Sequence, residues 1–203
     1  MGMVLPGTAV GIKTRNGVVL ATDKRVTYDG FIMSRQATKV HAITSRSGVA
    51  FAGLMGDIGY ITKLLKYEAK KYELEIGREM KTRSLAKVLS LILYSYKFFP
   101  MFTEVIVGGY DETPALFILD PVGSVIEEKY AAAGSGHQLA IGYIEPRYRE
   151  DLSLEEAEQL AIGAIKTVIE RDVLSGDGVD IIIFTKDGYQ TKQYLFKTLQ
   201  EQQ

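Results

Sequence analysis

The chain has 203 residues, of which 46% are hydrophobic and 24% charged, the size and balance of one large globular domain. A net charge of −1 gives no basic surface for nucleic acid or an anionic membrane. There is no cysteine, and the two histidines, His41 and His137, share no short motif, which excludes disulfides, thiolate metal sites and a cysteine nucleophile and argues against a zinc site or a Ser-His-Asp triad.

No metal and no cofactor is therefore expected. No apolar run reaches transmembrane length. The opening Met1-Gly2-Met3-Val4-Leu5-Pro6 lacks the length and basic start of a signal peptide, so a cytoplasmic protein is expected.

Val10, Ile12 and the run Val18-Val19-Leu20-Ala21 flank Asn16-Gly17, a pair that tolerates positive φ and marks a hairpin between apolar runs. Val40 to Ile43 and Val49 to Ala52 read as a second strand pair around Ser45-Arg46-Ser47-Gly48. Helical spacing follows: Ile58, Ile61, Leu64, Leu65 and Ala69 recur at three and four, with lysines between them. A second helix is predicted from about Ser84 to Tyr96, closed by Pro100.

Strands return at Val105-Ile106-Val107, Leu116-Phe117-Ile118-Leu119 and Ser124-Val125-Ile126, separated by turns at Asp111-Glu112-Thr113 and Asp120-Pro121-Val122-Gly123. A short helix is predicted over Gln138 to Ile144. A longer one starts at Ser153, with Glu156 completing a capping box and Gly176 standing where a C-terminal cap would fall. Val179 to Phe184 and Tyr189 to Phe196 flank Asp187-Gly188 as a last hairpin. Strands arriving as hairpins imply antiparallel sheets, and helices arriving in pairs imply cover for two outer faces. The expected fold is α+β, a four-layer αββα sandwich over residues 1–203.

At this point a family pattern emerges. Gly7-Thr8-Ala9-Val10-Gly11-Ile12 resembles the Thr-Thr-Thr-Val-Gly-Ile opening of archaeal-type proteasome β subunits. Gly17 to Arg25 is similar to the family's next strand with its Asp-x-Arg motif, and Lys39 follows at the family's spacing. Phe98-Phe99-Pro100, Gly108-Gly109-Tyr110-Asp111, Gly134-Ser135-Gly136 and Arg171-Asp172-x-x-Ser175-Gly176-Asp177-Gly178 extend the resemblance over nearly the whole chain.

Each motif alone has a plainer reading. Gly134-Ser135-Gly136 is a turn, Asp172 and Ser175 satisfy backbone groups, Lys39 is a solvated strand residue, and Asp23 with Arg25 is a weak surface pair. Their joint spacing is what favours a site. The bacterial two-component protease is the other family to weigh, but its chain is usually shorter and matches the helix-linking and C-terminal motifs less well.

The resemblance implies the N-terminal nucleophile hydrolase fold. In that family processing exposes a threonine whose hydroxyl attacks the scissile carbonyl while its α-amine, titrating near about pH 8, assists proton transfer. Carried over by position, Lys39 would lower the hydroxyl's pKa and Asp23 would hold Lys39 charged. Ser135, Asp172 and Ser175 would bond around the amine, and the Gly53 amide would be the oxyanion donor. Val26, Ala37, Phe51 and Met55 match the specificity pocket, with Phe51 bulky enough to shrink or plug it.

The nucleophile position is the departure. The family's threonine precedes the glycine of Val-Gly by four residues, the aspartate by 16 and the lysine by 32. Gly11, Asp23 and Lys39 all count back to residue 7, which is glycine.

Two readings stand. In one, the chain is a structural or weakly active β subunit. In the other, cleavage after Gly7 removes residues 1–7 as a short propeptide and exposes Thr8 as the nucleophile of an active endopeptidase. A one-residue shift along a strand moves a group about 3.3 Å and turns its side chain to the other face, although a chain terminus can bulge to re-aim it.

The expected partners are proteasome α subunits and other β subunits in seven-membered rings, a regulatory ATPase indirectly, and unfolded polypeptide substrates within a 20S core particle. Twelve tyrosines and eight phenylalanines suit such contacts.

Overall fold

A computed structural model describes residues 5–196; residues 1–4 of the candidate propeptide lie outside the described residues. In chain order, strands β1 (Thr8–Thr14) and β2 (Gly17–Asp23) form a hairpin, and β3 (Val26–Tyr28) with β4 (Phe31–Ser34) a small second one. Strands β5 (Val40–Ala42) and β6 (Ser47–Gly53) lead into helices α1 (Met55–Ile76) and α2 (Thr82–Ser95). Strands β7 (Thr103–Tyr110), β8 (Pro114–Leu119), β9 (Val125–Glu127) and β10 (Tyr130–Gly134) follow. Helices α3 (His137–Ile144) and α4 (Leu154–Ile169) precede the final hairpin of β11 (Gly178–Thr185) and β12 (Gly188–Leu195).

One five-stranded sheet runs β10-β1-β2-β11-β12 and the other β5-β6-β7-β8-β9. Every pairing is antiparallel. The period-two alternation of each strand divides its side chains between two cores. In β1, Val10 and Ile12 pack outward with Ala161, Ile165 and Val168 of α4. Ala9 packs inward with Ala50, Ala52, Ile106 and Leu116 of the facing sheet. On the far side, Ile58, Ile61, Leu65, Leu85 and Leu89 of α1 and α2 cover Val49, Phe51, Val105 and Phe117. The result is the expected αββα stack. In the middle layer glycines of one sheet make room for aliphatic side chains of the other: a Cβ on Gly11 would stand 2.7 Å from Leu116 Cδ1, and one on Gly108 2.7 Å from Val18 Cγ1, closer than packed carbon atoms approach.

Two local expectations resolve differently and a third holds. The first turn is built on Arg15 and Asn16, and Gly17 already belongs to β2. Neither Asn16 nor Gly17 takes positive φ; Gly17 is small because Phe184 of β11 and Leu154 crowd it. Positive φ at both residues is found instead at Asp29-Gly30 (φ 47° and 76°), which turns the β3–β4 hairpin, the pattern a two-residue primed turn requires. The capping box at Ser153 is formed, with Glu156 N donating to Ser153 Oγ at 3.1 Å and Ser153 N to Glu156 Oε2 at 2.8 Å. Gly176, in contrast, is not the cap of α4. That helix closes at Glu170 with ordinary helical φ, and Gly176 lies in the following loop, where its amide is used at the site.

Candidate active site

The two sheets bring their ends together where β1 begins. Asp23 closes β2, Lys39 precedes β5, Gly53 closes β6, Ser135 follows β10, and Asp172 and Ser175 lie in the loop from α4 to β11. Asp23 is fully buried and Lys39 is 1% exposed, so the plainer readings of Lys39 as a solvated residue and of Asp23 with Arg25 as a surface pair do not hold. Their ion pair measures 2.5 Å from Lys39 Nζ to Asp23 Oδ1. Buried charges persist only when their remaining bonding capacity is met, and that of the Asp23 carboxylate is filled. Asp23 Oδ1 also accepts from Thr8 N at 2.8 Å, and Oδ2 from Arg25 N at 3.0 Å and Gly176 N at 2.9 Å. Lys39 Nζ donates further to Arg25 O at 3.1 Å.

Gly7 sits in front of this pair. A Cβ built on it would fall against Lys39 Nζ and 3.0 Å from Asp23 Oδ1. A side chain at residue 7 would therefore point at the lysine, but the residue is glycine and holds φ +84°, a region that disfavours β-branched residues most.

Thr8 is engaged elsewhere. Its side chain is fully buried, with Oγ1 2.8 Å from Ser175 Oγ and accepting from Gly136 N at 3.1 Å. Ser175 Oγ gives its proton to Asp172 Oδ2 at 2.6 Å, so the Thr8 hydroxyl is the donor to Ser175. Ser135 Oγ donates to the same Asp172 Oδ2 at 2.6 Å and lies 3.2 Å from Gly7 O. Among the described residues no hydrogen bond joins Thr8 Oγ1 to Lys39.

The Gly53 amide is occupied. It donates to Pro6 O at 2.9 Å, while Ser135 N donates to Gly7 O at 3.0 Å. Gly53 has φ +140°, and a Cβ there would stand 2.7 Å from Thr103 Cα, so a larger residue could not present its amide at this point. Of the candidate pocket residues, Val26, Ala37 and Met55 are half-buried. Phe51 is fully buried in the core beneath α1, its ring 6.4 Å from that of His41, which makes it a packing residue in this chain and not an open pocket wall.

Sequence reading gave no role to three contributors. Pro6 supplies the carbonyl on Gly53. Glu104 Oε2 accepts from Gly134 N at 2.7 Å, steadying the turn that carries Ser135. Asp177, with φ +72°, is gripped by Arg25 and Arg35; Arg25 Nε reaches its Oδ2 at 2.8 Å. Burial pushes the Asp177 carboxyl pKa up, but hydrogen bonds from the two guanidiniums and their charge outweigh it and hold the group below the usual carboxylate value. Only Arg25 and Asp177 fell within recognised motifs; nothing local marks Pro6 or Glu104.

Two stacked antiparallel sheets flanked by helix pairs form the sandwich of the N-terminal nucleophile hydrolase fold. The chain matches the family model described as proteasome subunit over residues 3–184. It is 67% identical over 196 residues to proteasome subunit beta 1 of Desulfurococcus amylolyticus, covering 96% of this chain and 97% of that one. To the subunit of the same name from Staphylothermus marinus it is 56% identical over 194 residues (95% and 91%), and to that of Ignicoccus hospitalis 53% over 184 residues (90% and 93%). The chain belongs to the proteasome subunit family, as an archaeal-type β subunit.

Proposed function

We propose that this chain is a single-domain β subunit that builds the wall of a 20S proteolytic chamber without supplying a working nucleophile of its own. The particle would stack seven-membered rings of this and other β subunits with rings of α subunits. It would degrade unfolded polypeptides delivered by a regulatory ATPase in the cytoplasm, and cutting would fall to a second, active β subunit.

The observation that carries this reading is the pairing of Lys39 with an empty side-chain position. The lysine and Asp23 bear on the Cβ direction of residue 7, which is glycine. The nearest hydroxyl along the chain, that of Thr8, is bonded to Ser175 and Gly136 instead. A misplacement of about 1 Å already costs about a hundredfold in rate, and a one-residue shift along a strand displaces a group by about 3.3 Å.

The rival reading has one observation in its favour. Thr8 N stands 2.8 Å from Asp23 Oδ1, so scission at Gly7–Thr8 would leave an α-amine beside a carboxylate. Two variants separate the readings in particles whose only β subunit is this chain. Thr8→Ala is expected to change the residual peptidase activity by less than about twofold. Pro6→Gly with Gly7→Thr and Ala9→Thr is expected to gain self-processing and activity. If the unmodified chain begins at Thr8 by intact mass and a threonine-directed inhibitor attaches there, the scaffold reading fails.

A further inference from the structure

Three consecutive residues at the end of β2 each hold an opposite charge from a different part of the chain. Asp23 takes Lys39, and Arg25 takes Asp177. Lys24, the middle residue of the Asp-x-Arg motif, continues the alternation of the strand and turns into the space between the sheets. Its Nζ donates to both carboxylate oxygens of Asp180 on β11, at 2.8 and 2.7 Å. Asp180 is paired in register with Thr22, so the contact with Lys24 is a diagonal cross-strand one, within reach of a long side chain. Lys24 is fully buried and Asp180 is 7% exposed. A Cβ on Gly178 would stand 3.0 Å from Lys24 Cδ, so glycine there keeps the passage of the lysine stem open.

A buried lysine–carboxylate pair is weak grounds for stability, because apolar residues of similar volume serve a core as well or better. What the pair adds is direction, and the Lys24 backbone is where direction counts. Its amide donates to Gly176 O at 3.1 Å, and its carbonyl accepts from Ala37 N at 3.1 Å. Gly176 N in turn donates to Asp23 Oδ2, and Ala37 lies two residues before Lys39. A twist of the chain at Lys24 therefore displaces both members of the Asp23–Lys39 pair.

We propose that Lys24 and Asp180 are positioning residues: their ion pair fixes the rotation of the chain at the end of β2 and so sets where Asp23 and Lys39 stand in front of β1. The role holds under either reading of residues 7 and 8, since Asp23 bears on the Cβ direction of the one and on the amide of the other.

The test replaces both members at once, Lys24→Met with Asp180→Leu, so that no charge is stranded. In the full-length chain the thermal midpoint is expected to stay within about 4 °C of the unmodified value. Hydrogen exchange at the Thr8, Arg25 and Gly176 amides, all of which end on Asp23, is expected to become at least about tenfold faster, with Leu89 of α2 and Val107 of β7 unchanged. Activity is read in particles assembled with α-type subunits, on whichever β chain cuts, the unmodified one or the Pro6→Gly, Gly7→Thr, Ala9→Thr variant. There kcat is expected to fall at least about tenfold with KM held within about twofold. Unchanged exchange at the three amides overturns the proposal, and so does an intact kcat. A midpoint lowered beyond that range, with exchange faster everywhere, also overturns it, because the pair is then a stabiliser of the whole fold. If neither β chain cuts, the exchange pattern alone decides.

Discussion

Replacing Asp23 by asparagine tests whether the buried pair is an isolated charge contact or a keystone of the fold. Asp23 is fully buried and takes four donors, from Lys39, Thr8, Arg25 and Gly176. Asparagine keeps the shape but has one acceptor oxygen in place of two. If that oxygen stays toward Lys39 and Thr8, its NH2 group faces the amides of Arg25 and Gly176, donor against donor. Lys39 meanwhile loses its counter-charge at 1% exposure. Removing one partner of a buried ion pair costs about 3–5 kcal/mol, and an orphaned buried donor about 1–3 kcal/mol. The terms share one site and do not simply add.

A loss of at least about 3 kcal/mol is expected, a large part of the roughly 5–15 kcal/mol that stabilises a domain. Urea titration of the purified chain followed by circular dichroism would measure it. Adding Lys39→Met removes the stranded charge and should recover at least about 2 kcal/mol, because a buried pair replaced by apolar groups costs far less than a broken one. A single-variant loss below about 1 kcal/mol, or a double variant as unstable as the sum of the singles, would refute the argument.

The other expectations are more local. Thr8→Ala, neutral for peptidase activity under the scaffold reading, should still lower stability by about 1–2 kcal/mol because Gly136 N loses its acceptor; an unchanged melting temperature would contradict that. Phe51→Ala should cost about 3–5 kcal/mol, measured by denaturant unfolding, and a near-neutral result would mean Phe51 is not core. The Asp177 carboxyl is held low in the folded chain, so its contribution is present above its unfolded value of about 3.9 and is lost as pH falls through the lower folded value. Asp177→Asn should therefore flatten the acid limb of a melting curve taken between about pH 5 and pH 2; parallel limbs for the two proteins would count against it.

Element types could be read from the sequence wherever periodicity or capping chemistry was strong. Ser153 with Glu156 predicts a capping box and forms one, because both bonds are local. Asn16-Gly17 misleads about the first turn, since the tight seat of Gly17 against Phe184 and Leu154 is a long-range demand that no dipeptide rule contains. The same rule, applied to Asp29-Gly30, would have found the β3–β4 hairpin. Spacing was enough to place Asp23, Lys39 and Gly7 in one frame, since Asp23 ends β2 and the other two directly precede β5 and β1, strands whose register is set by the sandwich. What spacing could not supply was the occupant of Gly53. Pro6 reaches it through a backbone carbonyl, a group every residue carries, and Glu104 acts across two sheets on another backbone amide.

The fourfold bonding of Asp23 has a consequence for how such a subunit can change over time. Its carboxylate fastens the start of β1, the end of β2, the run toward β5 and the loop after α4, so it works as masonry whether or not chemistry takes place beside it. A lineage that gives up the hydroxyl at residue 7 is not thereby free to erode the residues around it. Under the scaffold reading the workshop stays furnished without its tool, and the residues that a restored hydroxyl would need remain in place.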